Sequence, residues 1–357
     1  MLQKGVLADL RGSVLGAVCV AAWLGACAQR SPAGGGPGAT EEIVFTQYSP
    51  LSRSEAIARR TLPPLTFRRG QELFAAKGKK LREQQIDLAK EKFAVYVPAG
   101  APPKDGYGLL IFIAPWAEAT HPKRWRGALN RHGLIFVSPA NSGNEESILD
   151  RRLPLAVLAY ENVRGRYPID PKRVYVGGLS GGSRAAEIAA LAYPDVFRGV
   201  LLNAGSDPVG GGQGIYLPPA ELFRKFQETR IVYVTGEKDE GNLASDHISQ
   251  RSLHEFCVFN IEILTPRELW HQALDSASLD QALDVLEERP ALDSEKLGQC
   301  NARLQRDLAS KIAEAEAALA RGDRDGARGR IKAIDAHYGG LAAPAIFDLD
   351  GKLTTAR

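Results

Sequence analysis

The chain is short of cysteine, of net charge and of long apolar runs, and each shortage narrows what it can do. Four cysteines stand among 357 residues. The two in the body of the chain, Cys257 and Cys300, have no neighbouring Cys or His at a metal-ligand spacing, so no metal is expected. A net charge of +3, from 45 Lys and Arg against 42 Asp and Glu, is close to balance and argues against a nucleic-acid binder. The apolar run Val14 to Leu24 is too short to span a bilayer comfortably. No Lys-Ser/Thr closes the glycine-rich stretch around residue 180, which excludes a P-loop, and Asp323-Arg-Asp325-Gly326 lacks the rest of a calcium loop. No cofactor is implied. What remains is an ordinary globular composition, 44% hydrophobic and 24% charged, with length for one large α/β domain plus an appendage or for two domains.

The organising stretch is Arg173-Val-Tyr-Val-Gly-Gly-Leu-Ser-Gly-Gly-Ser-Arg184. Val174 to Val176 reads as a buried strand, Gly178-Leu-Ser180-Gly-Gly182 follows at once, and Ser183 to Leu191 reads as a helix. Strand, Gly-x-Ser-x-Gly, helix is the context of a nucleophile elbow. The sharp turn strains the serine backbone and leaves no room for flanking side chains, and the helix start offers free amide groups to a developing oxyanion. A tight βα turn with an incidental serine is the plainer alternative.

Along the chain, Lys92–Pro98, Gly108–Ala114, Leu134–Ser138, Arg198–Asn203, Arg230–Thr235 and Val258–Leu264 read as further strands. Helical patterns alternate with them, at residues 122–131, 148–166, 218–228 and 243–256. Such alternation implies a parallel sheet with helices on both faces. Before it, residues 54–60, 71–80 and 81–89 read as helices of an N-terminal extension, whose basic residues form a solvated face. After residue 278 only helices are expected, residues 297–320 and 327–337 forming a hairpin like a single tetratricopeptide unit.

In an open α/β sheet functional groups lie just past the carboxyl ends of the strands. A serine nucleophile needs a base there, and the base needs an acid to fix its tautomer. Asp239 follows one later strand, with Glu237, Glu240 and Asp246 as rivals, and His271 follows the next, with His247 and His254 as rivals inside a helix. Residues 92–275 resemble an α/β-hydrolase of the esterase type, similar to the polyhydroxybutyrate depolymerase and feruloyl-esterase-like branch. The resemblance rests on Ile169-Asp-Pro-Lys-Arg-Val-Tyr-Val-Gly-Gly-Leu-Ser-Gly-Gly-Ser183, Ala192-Tyr-Pro-Asp-Val-Phe-Arg198 and Thr235-Gly-Glu-Lys-Asp239. It implies an α/β-hydrolase fold, Ser180 as nucleophile, Asp239 as triad acid and the triad histidine in the loop after Leu264, where only His271 stands. That branch commonly carries His-Gly where this chain has Ala114-Pro115-Trp116. Pro115 has no N–H, so the oxyanion donors expected are Gly181 with Trp116 or Ala117. Asn141 and Ser142 are candidate pocket walls, and Trp116 a candidate substrate platform.

The expected activity is hydrolysis of a small-molecule ester or a polyester. The alternative is a binding or scaffold protein on an impaired hydrolase fold. The layout expected is a leader at 1–26, a flexible tether at 27–40, a helical extension at 41–91, a hydrolase domain at 92–277 and a helical hairpin at 278–357. Leu24-Gly-Ala-Cys27 resembles a bacterial lipoprotein signal, which implies cleavage before Cys27 and lipid attachment there. The protein would then be anchored to a membrane, more in keeping with the outer one, on the periplasmic side of the envelope. In an oxidising compartment Cys257 and Cys300 are free to pair; two buried thiols are the alternative.

Overall fold

The computed structural model describes residues 37–211 and 215–355. The expected leader, the lipidation site Cys27 and most of the expected tether lie outside them. Strand β1 (Thr40–Val44) opens the described chain, and helices α1 (Ser54–Thr61) and α2 (Pro64–Ala76) follow. Strands β2 (Lys92–Tyr96) and β3 (Tyr107–Ile113), helix α3 (Arg126–His132), strand β4 (Leu134–Pro139) and helix α4 (Leu153–Arg166) come next. The series continues with β5 (Ile169–Leu179), α5 (Gly181–Ala192), β6 (Gly199–Asn203), α6 (Ala220–Phe226), β7 (Arg230–Val234), α7 (Glu240–Glu255) and β8 (Ile261–Leu264). Helices α8 (Ser276–Glu287), α9 (Ser294–Ala320), α10 (Arg324–Tyr338) and α11 (Ala343–Thr355) complete it.

The strands form one eight-stranded sheet in the order β1-β2-β4-β3-β5-β6-β7-β8. β2 runs antiparallel to β1 and β4, and every other pairing is parallel. Every residue of β3 is buried. Because successive side chains of a strand point to opposite faces, this continuous apolar run feeds two cores. Leu109, Ile111 and Ile113 enter the one built with α4 and α5, while Leu110 and Phe112 enter the one built with α3 and α8. The expected mostly parallel sheet with helices on both faces is what the chain forms.

Several boundaries differ from the sequence reading, each for a physical reason. The segment 41–91 is not wholly helical. Residues 41–44 belong to β1, which pairs with β2 and forms the edge strand of the sheet. Residues 81–87 are extended, and Gln84 is held there by its backbone N–H, which donates to Ser54 Oγ at 2.9 Å. The basic face is not simply solvated. Arg60 makes two bonds to Asp195, at 2.8 and 3.0 Å, and lies over the Tyr193 ring. Arg68 and Arg69 both reach Asp350 of α11, at 2.7 and 2.6 Å. These contacts fasten the extension to the sheet layer and to the C-terminal helices alike. Helix α8 straddles residue 278, and Leu279, Leu283 and Leu286 pack into the core with β7, so α8 covers the sheet rather than joining the hairpin. The Asp323 carboxylate caps α10 by accepting from the Gly326 N–H at 2.9 Å.

Cys257 and Cys300 form a disulfide between the end of α7 and α9. The loop it closes spans 43 residues. By the chain-entropy argument it destabilises the unfolded chain by about 4 kcal/mol. The bridge thus ties α9 to the end of α7.

Candidate active site

The strand order just described, with its one antiparallel inner strand, is that of the α/β-hydrolase fold, in which chemistry gathers at the carboxyl ends of the central strands. Ser180 sits there, between the end of β5 and the start of α5. Its backbone has φ 56° and ψ −124°, a conformation non-glycine residues avoid and one that costs on the order of 1–3 kcal/mol. The flanking glycines are steric necessities. A Cβ on Gly178 would come within 2.2 Å of the Gly182 carbonyl oxygen, and one on Gly182 within 2.0 Å of the Ile113 carbonyl oxygen. Packing this close explains how the turn stays tight enough to hold the serine in a strained state.

His271, on the loop after β8, brings Nε2 to 2.9 Å from Ser180 Oγ. Its Nδ1 lies 2.6 Å from Asp239 Oδ2. With the Nδ1 proton donated to the carboxylate, Nε2 is the acceptor for the serine hydroxyl. The Asp239 side chain is 10% exposed and that of His271 46%, so the acid is sheltered while the base faces solvent. The rivals stand apart. Glu237 and Glu240 are exposed, as are His247 and His254 on α7. Asp246 is buried and accepts from Ser206 Oγ at 2.6 Å and Thr235 Oγ1 at 2.5 Å.

The other sequence candidates fare unequally. The end of β3 and the residues after it lie against the elbow, since Gly182 touches Ile113 and Ala114, and Gly143 packs on the Trp116 and Ala117 backbone. That packing puts Gly181 and Trp116 in one neighbourhood. The Trp116 indole donates to Thr120 Oγ1 at 2.8 Å. Ser142 is not a pocket wall: it is fully buried and its hydroxyl donates to the Pro139 carbonyl at 3.1 Å, closing the turn. Asn141 is exposed and serves the turn through its backbone, whose N–H donates to the Ala117 carbonyl and whose carbonyl accepts from Arg151 Nε. It shapes the loop that bears Asn144. The Asn144 carboxamide stands so close to Gly181 that a Cβ there would be 2.3 Å from its Oδ1. Asn144 therefore stands beside Gly181 at the elbow.

Three further residues sit behind the acid without having been singled out from sequence. Asn242 Nδ2 donates to both Asp239 oxygens, each at 3.0 Å, and lies 3.1 Å from His271 Nδ1. Arg184 donates through Nη2 to Asn242 Oδ1 at 3.2 Å and through Nε to Asp207 Oδ1 at 3.1 Å. The signal for Asn242 was its spacing from Asp239, three residues on, which places it on the first turn of a helix that starts earlier than the apolar pattern suggested. Deeper still lies Glu187 on α5, wholly buried. Its carboxyl accepts from the Asp207 N–H at 2.8 Å and meets Ser249 Oγ at 2.9 Å. Burial pushes it up to about 8, so it is largely protonated at neutral pH. Burial also raises Asp246.

Several sizeable cavities are lined by other residues. One of about 300 Å³ lies beside the disulfide, with Arg230, Cys257 and Lys296. Another of about 380 Å³ lies between α9 and α10, with Asp307, His337 and Tyr338. The serine is instead half-buried at an open surface, and next to His271 the Trp270 side chain is 59% exposed with the Lys238 ammonium 5.3 Å from its ring centroid.

No family model matches the chain. It is 44% identical over 131 residues to a poly(3-hydroxyalkanoate) depolymerase C of Paucimonas lemoignei, a match covering 33% of this chain and 30% of that protein. It is 28% identical over 98 residues to a poly(3-hydroxybutyrate) depolymerase of Ralstonia pickettii, covering 24% and 20%. The chain thus spans less than a third of the length of these relatives. Among solved structures, it resembles LpqC, a poly(3-hydroxybutyrate) depolymerase of Bordetella parapertussis, at 15% identity and TM-score 0.41, over 59% of this chain and 88% of that one. Est1E of Butyrivibrio proteoclasticus is similar at 15% identity and TM-score 0.41, over 57% and 95%.

Proposed function

We propose that this chain is a serine hydrolase of carboxylic esters, and the observation that carries the reading is the unbroken line from Ser180 Oγ through His271 to Asp239. In the acylation step Ser180 Oγ attacks the ester carbonyl carbon while His271 Nε2 takes its proton. The carbonyl π pair moves onto oxygen, facing the N–H groups of Gly181 and of Trp116 or Ala117. Collapse breaks the carbon–oxygen bond of the alcohol, which leaves with the proton from His271, and the acyl group stays on Ser180. Water then gives a proton to His271 and attacks the acyl carbon. The acid departs and Ser180 regains its proton. Asp239 holds the ring and offsets its positive charge in both steps.

The substrate class proposed is an ester presented on an extended chain, a polyester included. Two relatives, matched over at most 30% of their length, are poly(3-hydroxyalkanoate) and poly(3-hydroxybutyrate) depolymerases, and an open serine flanked by the exposed Trp270 suits an object too large for a closed pocket. The proposed setting is the cell envelope, with a lipid on Cys27. The disulfide supports it, because such bridges persist in oxidising compartments. Palmitate labelling of cells expressing the full chain should disappear in Cys27→Ser; labelling that survives would remove the anchor from the account. Activity is tested by a fluorophosphonate probe on the folded wild type, with p-nitrophenyl esters of graded chain length and polyhydroxybutyrate granules as substrates. Stoichiometric labelling at Ser180 with ester turnover is expected. A folded protein that neither labels nor turns over would leave the binding-protein alternative in its place.

A further inference from the structure

Asp239 caps the start of α7 by position but makes no capping bond to the helix with its side chain. Its carboxylate is therefore not held by its own backbone, and something else must keep Oδ2 aimed at a solvent-exposed histidine on a loop. Asn242 supplies the restraint, because one amide group at 3.0 Å from both oxygens leaves the carboxylate little freedom to turn. The Asn242 amide is fixed in turn through its Oδ1 by Arg184, and Arg184 by Asp207. The guanidinium packs beside Gly205, where a Cβ would come within 2.8 Å of Nη1 and of the Ser180 carbonyl oxygen.

Resting on the hydrolase reading above, we infer that Asn242 and Arg184 are positioning residues that lock the triad acid to the nucleophile elbow. Arg184 stands on the first turn of the helix that begins beside Ser180, and Asn242 on the first turn of the helix that begins beside Asp239. Their bond therefore joins the two helices whose starts carry nucleophile and acid. The chemistry of the link matters as much as its place. A guanidinium directly on Asp239 would compete with the imidazolium for the carboxylate's charge. Here the contact is a neutral amide, and the Arg184 charge is answered by Asp207. Asp239 is thus held in place with its charge left to His271.

The test uses the full-length wild type, Asn242→Ala, Arg184→Met, His271→Ala and the Asn242→Ala/His271→Ala double variant, with turnover normalised to sites titrated by the fluorophosphonate where His271 is present and to folded protein where it is not. Asn242→Ala is expected to lower kcat about ten- to a hundredfold with KM within about threefold, the size of loss that a small misplacement of a catalytic group brings. A carboxylate free to turn supports the imidazolium less, so the acid limb of the kcat/KM profile should move to lower pH. Arg184→Met should do the same to a smaller degree, and Asn242→Ala should cost nothing further in a His271→Ala background. Wild-type kcat per titrated site, or a loss with an unmoved acid limb, would overturn the inference and leave the hydrolase reading intact. A folded wild type that fails to react with the probe would overturn both together.

Discussion

Ser180→Ala is expected to lower ester turnover by a factor on the order of 10³ to 10⁶, with His271→Ala no milder and the double variant no worse than either alone. The reason lies in the geometry. The serine hydroxyl is a poor nucleophile until the proton leaves, and among the described residues the base within bonding distance is His271 Nε2 at 2.9 Å. Removing either member removes the same event, so the losses do not add. Asp239→Asn is expected to cost about 10⁴-fold, because an amide N–H at this position favours the wrong tautomer of a ring now bonded at 2.6 Å. A residual rate should persist in all three, since substrate binding and the amides around Gly181 and Trp116 are untouched. Steady-state rates on a p-nitrophenyl ester, with circular dichroism to establish folding, decide it. A Ser180→Ala protein retaining more than roughly a hundredth of wild-type turnover, or losses that multiply in the double variant, would sink the triad.

The line from Ser180 through His271 to Asp239 was legible because each of the three leaves a local mark. Ser180 is framed by glycines that a strained turn requires, and Asp239 and His271 fall just past strand ends in a chain whose strands are short β-branched runs. What surrounds the triad left fainter marks. Asn242 was hidden by a helix start: α7 begins at Glu240, where two polar residues and a glycine precede the apolar pattern, so periodicity alone begins the helix too late. Arg184 bonds to residues far along the chain, and sequence does not carry such distances. Ser142 and Asn144 are both polar and nearly adjacent, yet a turn buries one hydroxyl and presents the other carboxamide to Gly181. Strand β1 was missed because its burial alternates only partly, as an edge strand's does, and because its partner lies some fifty residues on. The disulfide was open for the same reason, with proximity decided by how α9 folds back on the end of α7.

The largest stability effect is expected from the buried carboxyl behind the site. Glu187 →Gln should flatten the fall in stability that the wild type shows as pH rises, and the sign follows from proton counting. The Glu187 carboxyl, displaced by burial from an ordinary value of 4.5 to about 8, keeps its proton in the folded chain where the unfolded chain has released it. Between those two values the native state binds more protons, so stability is fully present below the lower one and is lost as pH climbs through the upper one. The loss across the window is on the order of 3 to 5 kcal/mol at most. The amide variant reproduces the protonated form. Its oxygen can accept from the Asp207 N–H and its NH₂ can donate to Ser249 Oγ, which also meets the Tyr233 hydroxyl at 2.8 Å. Asp246, itself raised by burial, is among the charges that raise Glu187. Urea unfolding at intervals from pH 5 to pH 9 measures the difference between wild type and variant directly. The two proteins should be close in stability near pH 5, the variant should lead increasingly from there to about pH 8, and the difference should level off above it. A wild type and variant that run parallel over this range would mean that Glu187 is ionised in the folded chain, and that its hydrogen bonds outweigh the cost of burying a charge.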